Sequence, residues 1–429
     1  MQVAVYGDTL CAQVTATALA QTGHQVAWYV FGKEEHEQLN QEQPLFNEQG
    51  LDRLYVEQIS AGRLVPLLRG QSAVEISPSE VVFLALSPGS ETLAEDILDV
   101  DVKPGACRLV VNQTVGPVGV AERLRQYLLS AGYDAALVAL PDLIQEGNAF
   151  LTFTRPESIL LGCYEREGEA LMRELLRPFN RRKDVLQVMS LREAEFAKLA
   201  ISGILATRIS FMNDMAALSE SLDVDIDAVR VAMGADSRIG EAYLYPGCGF
   251  GGPGLSSNVL ALLDAQQQKA AEPGLLEQVL HTNERQKEVL FRKFWQYCNG
   301  CVKGKRVAIW GASFKPGTAR VENAPALKII EALWAQGVDV AVHDPKALPD
   351  LKRWAEKQNK ELLLCDTPYE ATLGADALML VTEWKPYWSP DWQRLKQEMR
   401  TGLILDGRNI YDPAFVKAQG LEYRGIGRS

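Results

Sequence analysis

The sequence predicts an α/β chain in which two doubly wound parallel sheets are joined by a central all-helical segment. Three observations predict it. Short apolar runs alternate with helical stretches over roughly the first 190 residues. A long proline-free stretch with apolar residues at near-helical intervals follows. The opening run VAVYG then returns as VAIWG at 307–311, where a second sheet of similar design begins.

Residues 2–6 (QVAVY) read as the first strand, ended by Gly7. Ala12, Ala16, Leu19 and Ala20 stand at helical spacing, and Gly23 leads into the second strand, QVAWYVF. Further strands are read at VVFLAL, RLVVNQ and AALVALP, with a helix over 120–131. Strand, helix, strand units of this kind build a parallel sheet through right-handed crossovers. This first domain is placed at 1–192. Phe196, Leu199, Ile204, Ile209, Met212 and Ala216 then mark a long helix from Glu193 to about Leu222, and a second helical stretch runs from about Leu275 to Tyr297. The helical domain is placed at 193–300. The basic VKGKR leads into RVAIWG, a helix from Ala324 to Gln336, VDVAVHD, ALMLVT and GLILDGRN, the third domain at 301–429.

The chain has 429 residues, 47% of them hydrophobic, enough for two or three cores. With 55 acidic against 44 basic side chains the formal net charge is −11, which argues against nucleic acid or an anionic membrane as partner. No apolar run approaches the roughly 18 to 20 residues that cross a bilayer, and the first residues read into a strand rather than an export signal. A cytoplasmic location is expected. The seven cysteines are scattered, so a disulfide framework is not expected. Cys298 and Cys301 form a CxxC without the second ligand pair a zinc site needs, so no metal is expected. The four histidines stand far apart and read as core or solvent-facing residues.

Several segments resemble the UDP-glucose/GDP-mannose dehydrogenase family, and the resemblance runs along essentially the whole chain. The most specific are EFAKLAISGILATRISFMNDMA at 195–216, DSRIGEAYLYPGCGFGG at 236–252, GASFKPGT at 311–318, TEW at 382–384 and ILDGRNIYDP at 404–413. NQTVGPVG at 112–119 and PDLIQEGNA at 141–149 match more weakly. The resemblance implies Rossmann-like first and third domains holding NAD and the nucleotide of a UDP-sugar or related sugar nucleotide. It also implies a homodimer built on the central helices. The implied reaction oxidises a sugar C6 alcohol to a carboxylate in two hydride transfers, through a cysteine thiohemiacetal and thioester.

The chain departs from the family where that chemistry is most demanding. The family loop reads GGSC, an aromatic, a small or polar residue, lysine and aspartate; here it is GGPGLSSN, Gly251 to Asn258. The nucleophile position is Gly254, and a glycine has no side chain to add to an aldehyde. Ser257 and Asn258 stand at the lysine and aspartate positions. Cys248, six residues upstream, is a poor substitute, because so short a loop rarely returns a thiol to reaction distance.

The NAD side departs in parallel. A dinucleotide turn wants G-x-G-x-x-G and an acidic residue ending the second strand. Here Gly7, Thr9 and Ala12 stand in the turn, and the ribose position falls at Val30. Gly7 and Ala12 are the cofactor-binding candidates. The family's T-D-D-x-R reads Thr318-Ala319-Arg320-Val321-Glu322, which exchanges a cation for a carboxylate unless the register slips to Arg320. Three lost contacts at about 1 to 3 kcal/mol each weaken NAD by roughly 3 to 9 kcal/mol, so binding is expected to be weak or absent.

The sugar-nucleotide side is closer to the family. The resemblance assigns Phe314 and Lys315 to the nucleotide and sugar, Arg408 to a phosphate, and Arg238 to the ligand of a neighbouring subunit, fixed cations that suit phosphate. Phe250 and Gly251 of GFGG would wrap the sugar, and Glu146 keeps its family identity. Lys198, Asp142 (for the family's glutamate) and Thr114 are the catalytic candidates, with Ser202 where the family has asparagine. Three readings follow: a homologue that holds a sugar nucleotide without the full oxidation; a dehydrogenase of altered mechanism using Lys198 and an Asp142-activated water; and a scaffold or regulatory subunit using no ligand.

Overall fold

The computed structural model describes residues 1–46, 48–70, 79–103, 105–181, 183–269, 272 and 274–428. They form two compact units, Met1–Ala200 and Ile201–Ser429.

The first unit is an eight-stranded sheet: β1 (Gln2–Tyr6), β2 (Gln25–Val30), β3 (Leu64–Leu68), β4 (Val81–Leu84), β5 (Leu109–Asn112), β6 (Ala136–Ala139), β7 (Ile159–Cys163) and β8 (Leu186–Met189). Their order is β3-β2-β1-β4-β5-β6-β7-β8. The central strands are continuously apolar because helices cover both faces. Val3, Val5, Val81 and Phe83 enter one core, while Ala4, Tyr6, Val82 and Leu84 enter the other. The helix Leu10–Gln21 is buried on all sides from Cys11 to Ala20. Two of its buried polar side chains are paired: Gln13 exchanges two hydrogen bonds with the backbone of Phe46, and Thr15 donates to Gln113 Oε1 at 3.0 Å, while among the described residues the buried Thr17 hydroxyl has no partner.

The sheet departs from the all-parallel expectation at one place, where β7 runs antiparallel to β6. The link between them carries only the six-residue helix Ala149–Thr154, in place of the longer helix of a crossover.

The second unit has a six-stranded parallel sheet: β9 (Arg306–Trp310), β10 (Asp339–His343), β11 (Leu363–Leu364), β12 (Ala377–Leu380), β13 (Leu403–Asp406) and β14 (Glu422–Arg424), in the order β11-β10-β9-β12-β13-β14. That order repeats the first six strands of the other sheet. VAVYG and VAIWG lie on β1 and β9, the equivalent central strands. This unit also holds the helices Ile226–Ala235, Pro253–Gln268, Leu275–Lys287 and Val289–Tyr297, and most of the 32-residue helix Leu191–Leu222. The stretch read as one helix from Leu275 to Tyr297 is two, separated at Glu288.

Along the long helix Ser202, Ala206, Ser210, Asn213 and Ala216 are buried, and Ile204, Phe211, Leu218 and Leu222 are exposed at intervals of seven, seven and four residues. Among the described residues no helix is long and apolar enough to cross a membrane.

Candidate functional site

In the first unit the candidate residues gather at the carboxyl ends of the strands. Gly7 ends β1 with φ 144°, and a Cβ there would stand 2.1 Å from the carbonyl oxygen of Ala85. Only glycine fits so close an approach. The Trp28 indole donates to the Gly7 carbonyl at 2.7 Å, fixing the turn from below. Thr9 is the N-cap of helix Leu10–Gln21: its hydroxyl accepts from the Ala12 N–H at 3.2 Å and donates to the Ala85 carbonyl at 2.7 Å. Ala12 is fully buried against this turn.

The fit to a dinucleotide is divided. Gly7 and the helix N-terminus suit a pyrophosphate, and among the described residues the N–H groups of Leu10 and Cys11 donate no hydrogen bond. The Thr9 side chain stands at that same helix end, however, where the fingerprint wants a bare backbone. Val30 is 0% exposed within the sheet core and offers nothing to a ribose diol.

Lys198 and Asp142 come together. The ammonium donates to the Asp142 backbone carbonyl and lies 3.3 Å from its Oδ1. The Cys11 thiol lies beside them, pushed well up by burial and next by the Asp142 charge. A cavity of about 50 Å³ opens against Asp142, Gln113, Leu140, Ile144 and Phe153, room for a few waters and too small for a sugar. Thr114 stitches the ends of β4 and β5 together: its hydroxyl donates to the Leu84 carbonyl at 3.1 Å and accepts from the Leu86 N–H at 3.0 Å. Glu146 lies in the loop 140–148, half-buried. That loop is held by Glu48, a residue not singled out in the sequence, whose buried carboxylate accepts from the N–H groups of Gly147 and Ala149 at 2.6 and 3.0 Å. Glu195 plays the same part for the helix Val120–Ser130, accepting from Gly119 and Ala121 at 2.6 and 2.7 Å. Burial pushes its carboxyl up, and the two N–H groups oppose that.

In the second unit the glycine loop is clamped from the helix Leu275–Lys287. Asn283 exchanges hydrogen bonds with the Phe250 backbone at 2.8 and 3.0 Å, and Gln286 donates to the Gly247 carbonyl at 2.7 Å. The Lys287 ammonium, with a fully buried side chain, reaches Glu284 and Asn323, each at 2.6 Å. The Phe250 ring packs with Ala206, Val259 and Val279, so its side chain fills a core. Gly251 lies where a Cβ would meet the Asn323 carbonyl at 2.4 Å. Gly252, at φ 84°, would meet the Phe314 ring at 2.6 Å. These glycines let two loops touch.

Gly254 lies in the first turn of helix Pro253–Gln268, exposed, with open space where its Cβ would be. Cys248 does not reach it as a reactive thiol. The thiol is fully buried, sits 3.6 Å from the Val381 carbonyl and is raised in pKa by that burial. Asn258 donates to the Ser202 hydroxyl at 2.8 Å.

The loop 311–318 is organised by Asp344, which the sequence reading passed over. Its Oδ2 accepts from Ala312 N–H, Ser313 N–H, the Ser313 hydroxyl and the Trp384 indole at 2.8 to 3.1 Å; Oδ1 accepts from Lys346 and Ala347, both at 2.8 Å. An acid directly after a strand was the available signal. The Lys315 ammonium lies 5.4 Å from the Phe314 ring centre. Arg408 is anchored by its Nε, 2.7 Å from the Val381 carbonyl and 3.1 Å from Glu383; among the described residues its terminal amino groups take no hydrogen bond. Arg320 turns both nitrogens onto Glu322 at 3.1 and 3.2 Å. Arg238 is exposed and pairs with Asp236 at 2.6 Å, which lowers the pKa of that carboxyl.

Models of the family's NAD binding, central and UDP binding domains match residues 1–180, 192–285 and 308–413. The chain is 38% identical to a UDP-glucose 6-dehydrogenase of Pseudomonas aeruginosa, covering 100% of this chain and 98% of the relative. It is 30% identical to one from Rhizobium meliloti, over the whole of both chains. Its fold matches a UDP-glucose dehydrogenase structure from Pyrobaculum islandicum with a TM-score of 0.86 at 24% identity, covering 100% and 98% of the two chains. Matching models in all three parts, with full-length relatives at this identity, establish that the chain belongs to the UDP-glucose/GDP-mannose dehydrogenase family.

Proposed function

We propose that this protein is a sugar-nucleotide-binding homologue of the nucleotide-sugar dehydrogenases that has lost the cysteine-dependent oxidation to a carboxylate. One observation carries the reading. Gly254 presents no side chain at the nucleophile position, and Cys248 is sealed in a core as a neutral thiol. Without a thiol there is no thiohemiacetal to oxidise in the second hydride transfer. Binding of a UDP-sugar rests on Phe314, Lys315 and the available guanidinium of Arg408, in a loop frame braced by Asp344. NAD binding is weakened by Val30, Thr9 and Glu322; Gly7, Ala12 and the helix N-terminus remain to hold the pyrophosphate. The exposed row Ile204, Phe211, Leu218 and Leu222 supports a homodimer through the long helix.

The contact of Lys198 with Asp142 favours one alternative, a single two-electron step. In it the alcohol would give its hydride to NAD and its proton to Asp142 through a water, stopping at the aldehyde. Ligand titrations separate the two. UDP-glucose, UDP-N-acetylhexosamines and GDP-mannose are each titrated with and without NAD, following thermal stability and NADH fluorescence. The expected result is stabilisation by a sugar nucleotide, little from NAD, and no NADH. Steady NADH formation would overturn the main reading, and silence to every sugar nucleotide would leave a scaffold.

A further inference from the structure

The CxxC motif at Cys298 and Cys301 takes no part in the proposed site. We propose that Cys298 and Cys301 are a reversible redox site, a surface dithiol that disulfide-class oxidants close to an intramolecular disulfide. Helix Val289–Tyr297 ends at Cys298, and the Cys301 N–H donates to the Cys298 carbonyl at 2.9 Å, closing a four-residue turn. The central pair Asn299 and Gly300 have φ of 50° and 79°, both positive as a type I′ turn requires, and Asn-Gly is the pair that favours it. Such a turn brings its first and last Cα within about 7 Å, against the roughly 4.4 to 6.8 Å that a disulfide spans.

The turn is held without help from sulfur. Gly300 donates to the Trp295 carbonyl at 3.0 Å and Asn299 to that of Gln296 at 3.1 Å, while the next residue, Val302, is buried in the core. Reduced and oxidised forms therefore share one backbone. Among the described residues no group of three or more His, Cys, Asp or Glu is placed to hold a metal, so the pair lacks the further ligands of a zinc site.

The two thiols differ in access. Of the seven cysteines Cys301 alone is exposed, while Cys298 is half-buried against the core. Burial pushes the Cys298 thiol up, partly offset by the nearby Lys305 ammonium. Cys301 is thus the entry point. Its thiolate attacks one sulfur of a small disulfide, forming a mixed disulfide and releasing one thiol. The Cys298 thiolate then attacks the Cys301 sulfur and releases the second thiol. Two cysteine thiols lose two electrons and two protons, and one disulfide becomes two thiols. The exchange uses no sugar nucleotide or NAD, so its outcome is independent of the proposed function.

The full-length protein is equilibrated in glutathione buffers of rising disulfide content, quenched in acid, alkylated and digested with trypsin. Residues 294–303 (FWQYCNGCVK) form one tryptic peptide holding both cysteines and no other. In oxidising buffer this peptide is expected to lose two hydrogen masses and resist alkylation, and dithiothreitol should reverse both. Cys298→Ser should stop at the glutathione adduct on Cys301, and Cys301→Ser should stay unmodified, with unchanged melting temperatures in both variants. Wild-type protein that stops at the adduct, or that keeps both thiols free in glutathione disulfide alone, would overturn the proposal.

Discussion

Placing a thiol at position 254, where the resemblance puts the nucleophile, tests whether Gly254 alone accounts for the proposed loss of oxidation. Gly254→Cys is sterically free, since a Cβ at 254 has nothing within 4 Å. In the first turn of helix Pro253–Gln268 the change should leave stability level or raise it by a few tenths of a kcal/mol, because glycine is the poorer helix former by about that much. The new thiol should be accessible, adding one fast-reacting group to a thiol titration. Sugar oxidation should nevertheless stay absent. On the proposed reading, buried Val30 offers a ribose no acceptor, Thr9 stands at the helix end, and Glu322, paired with Arg320, stands where the resemblance implies a cation. At about 1 to 3 kcal/mol for each of the three contacts, NAD affinity is expected on this proposal to be lower by roughly 10² to 10⁶ fold. A micromolar site would then become one of about 0.1 mM or weaker. Ser257 and Asn258 also leave the thiol without the family's lysine and aspartate. The assay is NADH fluorescence with UDP-glucose and saturating NAD, beside calorimetric titration of NAD alone. Production of NADH by the single variant would refute the account of the cofactor half of the site.

Asp344→Asn should destabilise the protein by about 3 kcal/mol or more, as severely as Asp344→Ala, because all its partners are donors and an amide adds a donor among them; a denaturant midpoint within a few tenths of wild type would contradict this. If the proposed long-helix dimer forms, wild type should sediment as a dimer and Ile204→Asp with Phe211→Asp as a monomer, since the pair places four carboxylates in a two-fold interface; an unchanged sedimentation coefficient would remove the long-helix interface. His343 is buried beside Tyr387 at 2.8 Å, and burial lowers its pKa from the usual 6.5. The folded state therefore binds fewer protons, so stability from this group is complete above 6.5 and is lost as pH falls through 6.5 toward the folded value. His343→Asn, which keeps a donor facing the tyrosine, should flatten the decline in unfolding free energy below about pH 6.5 by at most about 1.4 kcal/mol per pH unit; equal slopes would refute the assignment.

The sheets and the long helix are legible in the sequence because their signals are strong and local. VAVYG and VAIWG are continuous apolar runs ended by glycine, and residues 193–222 hold a helical period without proline. What stayed hidden has weak or shared signals. β11 is two residues long, β8 is largely exposed, and neither differs in pattern from a loop. The helix Pro253–Gln268 was obscured because its start, PGLSSN, reads as a turn. The reversal of β7 is invisible for another reason, since direction depends on what the connection packs against. Within the site, Lys198, Phe314 and Arg408 could be found by motif; the structural roles of Asp344, Glu48, Glu195 and Lys287 could not, although Glu195 opens the run 195–216 and Asp344 follows a strand. Each of these last four acts at least partly through residues distant in sequence, and its importance lies in the number of donors or acceptors it satisfies.

The replaced residues are not stranded, and this bears on how the site came to differ. The resemblance implies asparagine at 202 and aspartate at 258; here Ser202 and Asn258 share a hydrogen bond of 2.8 Å. It implies an acid at 320 and a cation at 322; here Arg320 and Glu322 form the pair with reversed sign, at 3.1 and 3.2 Å. A buried polar group left without its partner costs about 1 to 3 kcal/mol, a large share of the total stability of a domain. Asn258 is only 5% exposed, so an aspartate-to-asparagine change without a matching acceptor would have been strongly unfavourable. The buried Asn258–Ser202 pair is satisfied, while the Arg320–Glu322 pair is solvent-exposed and contributes little beyond changing the charges presented there. On the proposed reading, stability and turnover are thereby uncoupled. A cooperative unfolding transition at ordinary temperature is the expected companion of an empty turnover assay, and a sugar nucleotide should raise that transition whether or not any hydride moves.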